Sequence, residues 1–486
     1  MKTSNALIPL VLAATAALAA CAVGPDYVRP AVTAPAGYKE MTGWKAAEPR
    51  DDAPKGEWWA VFGDPLLNEL MEQVSVSNQT LAAAEAQYRQ ARALAQGARA
   101  QLFPVLNADL NLGRSQAARS GTSATANRGI INTHSASLDA TWEPDIWGRV
   151  RRLVEANVAA AQASAGDVEA AKLSIQSELA QNYFQLRALD MQRRLFDDTV
   201  KAFETSLKLT QNRYDAGVAA RADVVQALAQ LKTTQSQALD IGVQRAQLEH
   251  AIAVLVGRAP SEFSLPPATL SAVPPPMPPG LPSALLERRP DIAAAERRIA
   301  AANARIGVAQ AAYFPALSLT ATGGYQSTSL ASWFNAPARF WSVGAGLAQT
   351  LFDAGARAAQ TAQAVAAYDA EVANYRQTVL TGFREVEDNL ATLRILEQAA
   401  SVQTEAVDAS RQSVALALNQ YKAGTVSYLN VVTAQATALA NERTAADILN
   451  RRLAANVLLI RALGGGWHAE TLPARADVLS GAAPAH

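Results

Sequence analysis

The sequence is short of several things, and each shortage excludes something. It has a single cysteine in 486 residues, so no internal disulfide can form and no Cys/His nucleophile pair or cysteine metal cage is available. Histidines number 4, at His134, His250, His468 and His486, with no metal-ligand spacing among them. Basic and acidic residues number 43 each, so no charge imbalance points to nucleic acid or to a polybasic membrane contact. No GxGxxG or phosphate loop occurs, and the Gly464-Gly465-Gly466 run reads as a helix terminator. Nothing marks an enzyme, a cofactor site or a metal site. Aromatics make up only 6%, and much of the 50% hydrophobic content is alanine. Alanine has the highest helix propensity and a slim profile, so it favours long helices that approach closely.

The amino terminus carries the longest apolar stretch. Met1 and Lys2 supply a positive region, Leu7 to Leu18 an apolar core, and Ala19-Ala20 small residues before a cleavage point. The stretch is too short for a spanning helix and reads as a secretory signal over residues 1–20. The cut falls beside the lone cysteine, in Leu18-Ala19-Ala20-Cys21, which resembles a bacterial lipobox. Cys21 is therefore the expected lipid attachment point, and Ala22, where an Asp would resemble an inner-membrane retention signal, favours the outer membrane. More than one acyl chain makes such an anchor stable.

An internal duplication organises the remainder. Leu81-Ala82-Ala83-Ala84-Glu85 recurs as Ile292-Ala293-Ala294-Ala295-Glu296, and Phe103-Pro104 recurs as Phe314-Pro315. Tyr214-Asp215-Ala216-Gly217 recurs as Tyr421-Lys422-Ala423-Gly424, Val224-Val225 as Val431-Val432, and Gly257 as Gly464. Chance alignment of alanine-rich helices does not reproduce these landmarks in one order. Each half begins with a helix (about Pro65 to Leu102; about Pro282 to Tyr313), continues with two alternating stretches, and ends in a long proline-free run. Gly217 and Gly424 sit inside those runs and mark tight helix-to-helix turns. The expected division is an extended lipidated segment at 21–64, repeat 1 at 65–259, a proline-rich linker at 260–281, repeat 2 at 282–466, and a tail at 467–486.

The alternating stretches carry the membrane signal. Leu106, Ala108, Leu110 and Leu112 alternate with Asn107, Asp109 and Asn111; Ala136, Leu138, Ala140 and Trp142 alternate with Ser135, Ser137, Asp139 and Thr141. The second half repeats this with Leu317, Leu319, Ala321 and Tyr325, then with Trp341, Val343, Ala345 and Leu347. Period two puts apolar side chains on one face, and each stretch has about the 9–11 residues a tilted strand needs to cross a bilayer. The strands alone fit a soluble sheet with one wet face equally well; the lipobox favours a barrel. Four strands cannot close a barrel, and an open edge cannot sit in lipid, so closure requires several chains. The run from Trp147 to Arg213 would extend ~100 Å as a helix, too long for an ordinary globular domain.

Five segments in order resemble a known family: Cys21 to Tyr27; Trp58-Trp59 through Phe62-Gly63-Asp64-Pro65; Asp145-Ile146-Trp147-Gly148-Arg149; Glu287-Arg288-Arg289-Pro290-Asp291-Ile292; and Ala462 to Trp467. The chain resembles the outer-membrane factors of tripartite efflux systems, in the OprM/NodT lipoprotein branch of the TolC-like channels. That resemblance implies an α+β membrane protein: a homotrimer whose twelve-stranded β-barrel continues into a long periplasmic α-helical barrel. It also implies a periplasmic adaptor and an inner-membrane resistance-nodulation-division type pump as partners, with the turns at Tyr214–Ala220 and Tyr421–Ser427 at the periplasmic tip. Family members line the constriction after the second turn, often with aspartate rings. Here the matching residues are Leu429, Asn430 and Thr433, with Asp223 in the first repeat equivalent to Asn430. Contacts of Tyr214 and Tyr421 are expected to hold these rings shut; the plainer alternative is that they only cap and pack a coiled-coil turn. The implied function is a passive exit duct for drugs or other small molecules. A metal-ion or oligosaccharide exporter of the same design, and a periplasmic structural or adaptor lipoprotein, are the alternatives.

Overall fold

The structure, a computed structural model, describes residues 22–41, 57–116, 130–270, 275 and 285–480. The helices are α1 (Pro65–Ser77), α2 (Gln79–Ala100), α3 (Arg149–Asp215), α4 (Arg221–Leu255), α5 (Leu285–Arg288), α6 (Pro290–Ala311), α7 (Ala356–Lys422), α8 (Tyr428–Ala462) and α9 (Arg475–Leu479). The strands are β1 (Val105–Ser115), β2 (Ile131–Trp142), β3 (Ala316–Ser327) and β4 (Arg339–Ala348). Among the described residues, no helix is long and apolar enough to cross a membrane.

The halves repeat element by element. Helices α2 and α6 each have 22 residues, α3 and α7 each 67, and α4 and α8 each 35. The two leading helices expected from sequence are each broken once. In the first half Asn78 leaves the helical region, and its side-chain oxygen caps α2 by accepting from Leu81 N–H. Its amide donates to the Leu255 carbonyl, which fixes the break against the end of α4. In the second half Pro290 forces Arg289 into extended geometry, at φ −99° and ψ 121°, and starts α6.

The ends of the hairpins also match. Gly257 and Gly464 have positive φ, at 72° and 92°, and close α4 and α8 with left-handed caps. Both are pressed against the broken leading helix. A Cβ at Gly257 would lie 2.2 Å from the Ser77 carbonyl oxygen, and one at Gly464 would lie 1.9 Å from that of Arg288. Only glycine fits either contact.

The strands form one antiparallel sheet in the order β1-β2-β3-β4. Its register aligns the sequence alternation across all strands: Ala108, Leu138, Gly323 and Trp341 share one row, and Leu106, Ala140, Ala321 and Val343 another. The opposite face carries Asp109, Ser137, Asp139, Thr322 and Ser342, where Asp139 accepts from Thr322 Oγ1 at 2.6 Å and Ser137 Oγ at 2.8 Å. The apolar face is uncovered: Leu110 is 69% exposed, Trp341 77% and Leu347 70%. Strands β1 and β4 leave unpaired edges, so in this single chain the sheet is an open four-stranded wall.

Below the sheet, α3 packs against α2, α4, α6 and α8, and α7 packs against α6 and α8. The largest core gathers Trp58, Trp59, Phe62, Leu67, Phe184 and Leu453, so the Trp-Trp…Phe-Gly-Asp-Pro segment is a packing element. Asp64 from it caps α1 and accepts from Tyr183 OH at 2.6 Å. Trp147 joins the repeats at the strand–helix junction, stacking on Phe314 at 4.8 Å and donating to the Pro315 carbonyl at 2.8 Å. Asp145 accepts from the N–H groups of Val150 and Arg151 and so starts α3, where an anion suits the helix dipole. Arg289 binds Asp291 through two nitrogens, Glu385 at 2.7 Å and the Ala462 carbonyl at 3.3 Å, tying α6, α7 and α8 together. Burial opposes the charge of Arg289, but the two carboxylates outweigh it and hold the guanidinium pKa above its usual value.

Candidate functional site: the tip of the helical hairpins

The two hairpin turns sit together at the end of the helices farthest from the sheet. Each is closed by glycine in a left-handed cap, with Gly217 at φ 76° and Gly424 at φ 77°. Val218 N–H reaches back to the Arg213 carbonyl and Thr425 N–H to the Gln420 carbonyl, which satisfies the last carbonyls of α3 and α7. These caps make the turns rigid, and the short α4 and α8 return alongside.

The tip has its own small core, formed by Ala227, Tyr421, Tyr428, Val431 and Val432 with Leu207 and Leu418 at its margin. The Tyr421 and Tyr428 rings lie 5.4 Å apart across the second turn. Tyr421 OH donates to Thr210 Oγ1 at 3.2 Å, linking α7 to α3. Burial pushes the Tyr428 phenol up to about 12, and neighbouring Tyr421 adds to the effect. The firmest tie between the turns is Arg213. Its guanidinium donates to the Tyr421 carbonyl at 2.8 Å and the Lys422 carbonyl at 3.2 Å, and lies 4.8 Å above the Tyr421 ring.

The residues expected to form the gate separate into two groups. Tyr421 is buried between the turns, whereas its repeat-equivalent Tyr214 is 40% exposed. Leu429 is 53% exposed, and Asn430 and Thr433 are exposed beside it. They line a groove of about 400 Å³ between α7 and α8 with Ser410, Ser413 and Thr437; no charged side chain lines it. Asp223 is half-buried in the first turn of α4, on the other hairpin. Thus the structure brings Leu429, Asn430 and Thr433 together, and leaves Tyr214 and Asp223 apart from that groove. Sequence reasoning missed Arg213, Thr210 and Tyr428. A cue existed for Tyr428, since aromatics flank the second turn on both sides; Arg213 and Thr210 sit on a long helix where nothing local singles them out.

Cys21 lies outside the described residues. The chain just after it is docked: Val23 N–H donates to the Trp147 carbonyl, and Arg152 binds the Val23 and Gly24 carbonyls and Asp26. From there the segment runs along α6 and α7. Tyr27 hydroxyl donates to Glu296, Tyr38 is buried against Val386 and Leu390, and Glu387 accepts from the backbone of Lys39 and Glu40.

This architecture is shared with known proteins. A family described as outer membrane efflux protein matches residues 70–258 and 281–465. The pyoverdine export outer membrane protein OpmQ of Pseudomonas aeruginosa is 31% identical over 465 residues, covering 95% of this chain and 97% of that protein. The toluene efflux pump outer membrane protein TtgC of Pseudomonas putida is 32% identical, over 95% of this chain and 96% of its own length. The solved structure of the outer-membrane channel OprN superposes with a TM-score of 0.84 at 33% identity, covering 92% of this chain and 100% of that one. The fold class expected from sequence therefore stands, as does the location in the outer membrane with helices extending into the periplasm. A duplicated chain with four uncovered strands standing on paired 67-residue helices belongs to the outer membrane efflux protein family.

Proposed function

We propose that three copies of this chain close their sheets into one twelve-stranded barrel and their helices into one periplasmic tube, which conducts small molecules out of the cell. The observation that carries this reading is the sheet. It has two unpaired edges and an uncovered apolar face, and lipid tolerates neither an open edge nor an isolated four-stranded wall. Pairing β4 of one copy with β1 of the next satisfies every edge, and twelve strands leave room for a water-filled lumen. Helices of 67 residues then extend the tube by ~100 Å toward the inner membrane.

In this reading the duct is passive and performs no catalysis. Energy comes from an inner-membrane pump of the resistance-nodulation-division type, reached through a periplasmic adaptor that engages the tip. Cys21 carries lipid, and the docked segment after it holds that anchor beside the strand–helix junction. The division into a lipidated segment, two repeats joined by the 260–281 linker and a short tail belongs to the same proposal. Relatives named for pyoverdine and toluene bracket a cargo of small organic molecules, and drug-type compounds fall within that class. Leu429, Asn430 and Thr433 form the narrowest rings, with Tyr421, Tyr214, Asp223 and the turns at Gly217 and Gly424 around them. The reading as a structural or adaptor lipoprotein is set aside by family membership.

Deletion in the native host followed by a susceptibility panel of drugs, solvents and metals tests the transport reading. Hypersensitivity restored by the wild-type gene is the expected result, and an unchanged panel counts against it. Leu429→Ala with Thr433→Ala is expected to raise planar-bilayer conductance; unchanged conductance removes the gate assignment.

A further inference from the structure

The lipid-facing side of the sheet is asymmetric along its length. Its residues, in register, are Leu106, Ala108, Leu110, Leu112 and Arg114 on β1; Asn132, His134, Ala136, Leu138, Ala140 and Trp142 on β2; and their partners on β3 and β4, which begin at Arg339. Among the described residues this face carries two formal charges, Arg114 and Arg339, both positive and both at the end away from the helices. The sheet's carboxylates, Asp109 and Asp139, belong to the rows of the opposite face, although Asp109 also borders the groove beside Arg339.

The level of Arg339 is informative. Nine residues separate it from Ala348 at the helical end of β4, a span of ~23 Å along the barrel axis for a strand tilted by ~40°. An outer-membrane barrel presents an apolar band ~25 Å tall, so Arg339 stands at its outer margin, where a lipid-facing arginine is tolerated. Arg114 stands farther out, four residues past Leu110, which shares the Arg339 row.

Next to Arg339 the surface is hollowed. A groove of about 900 Å³ runs over Leu110, Ala136, Leu138, Tyr325 and Trp341 and ends at Arg339. The connection between β3 and β4 overhangs it: Trp333 is buried, stacks on Phe334 at 4.8 Å and donates to the Tyr325 carbonyl at 3.4 Å. Phe334 remains 64% exposed and Leu330 66%. An apolar channel with an aromatic rim and a cation at its outer end matches a molecule with acyl chains and a phosphate.

We propose that this groove binds a phosphorylated glycolipid of the outer leaflet, its acyl chain lying over Leu110, Leu138 and Trp341 and its phosphate on Arg339, with Arg114 adding to the field. The proposal rests on the barrel reading above, which sets the Arg339 end outward. Pairing of β4 with a neighbour's β1 then brings Arg339 and a second copy's Arg114 onto adjoining strands, so the site is repeated at each seam.

The test uses the full-length trimer in nanodiscs containing bis-phosphorylated lipid A, with binding read by native mass spectrometry and by thermal stabilisation. Each arginine near a membrane surface is worth about fivefold in affinity for an anionic lipid. Arg339→Gln is expected to weaken binding by about that factor, and Arg114→Gln with Arg339→Gln by about 25-fold if the two act independently. Arg339→Lys is expected to retain most of the affinity, which separates loss of charge from loss of fold. Wild-type binding by Arg339→Gln overturns the proposal, as does equal binding of dephosphorylated lipid A. Displacement of the lipid by an equal concentration of inorganic phosphate overturns it too, since the groove would then contribute nothing. Trimers that assemble and conduct but ignore the phosphate refute this site alone; failure to form a trimer refutes the duct reading.

Discussion

Replacing Arg213 by alanine should loosen the contact between the two turns at the tip. The guanidinium joins the last turn of α3 to the last carbonyls of α7, at 2.8 Å and 3.2 Å, and covers the Tyr421 ring. A hydrogen bond from a charged donor contributes ~1.5–3 kcal/mol, and a partly exposed cation–π contact adds ~0.5–1 kcal/mol. Arg213 is only half-buried, so solvent replaces part of this, and ~2 kcal/mol per copy is the working figure. At ~1.4 kcal/mol per tenfold, the balance between closed and loosened tips shifts by ~30-fold in each copy. Single-channel recording in planar bilayers reads this as a higher or more frequently open conductance. Cells carrying the variant should also admit a large antibiotic that the wild-type duct excludes. Arg213→Lys keeps the charge but loses the fork geometry and should fall between the two. Wild-type conductance and exclusion in Arg213→Ala would refute the idea that the two turns latch each other.

Other parts of the chain give sharper structural expectations. Gly464→Ala forces a Cβ to 1.9 Å from the Arg288 carbonyl oxygen at a positive φ; strain of ~1–2 kcal/mol and overpacking of ~1–3 kcal/mol should appear as a lower midpoint of thermal unfolding. Arg289→Ala leaves Asp291 and Glu385 without their shared cation, and a cost of ~3 kcal/mol should reduce the yield of assembled protein more than Arg289→Lys does. The Tyr428 phenol has its pKa raised from 10.0 to about 12, so the unfolded chain releases this proton first. Stability from this group is therefore full below pH ~10 and declines toward pH ~12. A phenolate absorbance titration should lose one late-titrating tyrosine in Tyr428→Phe; a titration that does not change refutes the burial argument.

Much of the fold was legible because it follows from periodicity and repetition. Four alternating stretches became four strands in consecutive order, and the Tyr-x-Ala-Gly landmarks became two left-handed helix caps. The breaks in the leading helices were not legible. Asn78 has a partner 177 residues away, at Leu255, and no local pattern announces it. Pro290 did mark its own break, and the sequence reading ran a helix through it despite the rule for residues preceding proline.

At the tip, repetition misled as well as helped. Tyr214 and Tyr421 are equivalent in sequence, yet only Tyr421 is buried, because Tyr428 and Val431 pack beside it. The arginine that links the turns stands next to Tyr214 and was invisible to a search for matched residues, since its repeat equivalent is Gln420. Neither the groove beneath the β3–β4 connection nor the one-sided arginines could be recognised before strand register was known.

Closure of the barrel and tube requires three copies of the chain. Native mass spectrometry of the detergent-extracted protein, released from lipid and from detergent step by step, measures it. A trimer that survives removal of bound lipid, with no stable monomer or dimer, is the predicted result. A folded monomer or dimer with its sheet intact would contradict the barrel, and with it the duct.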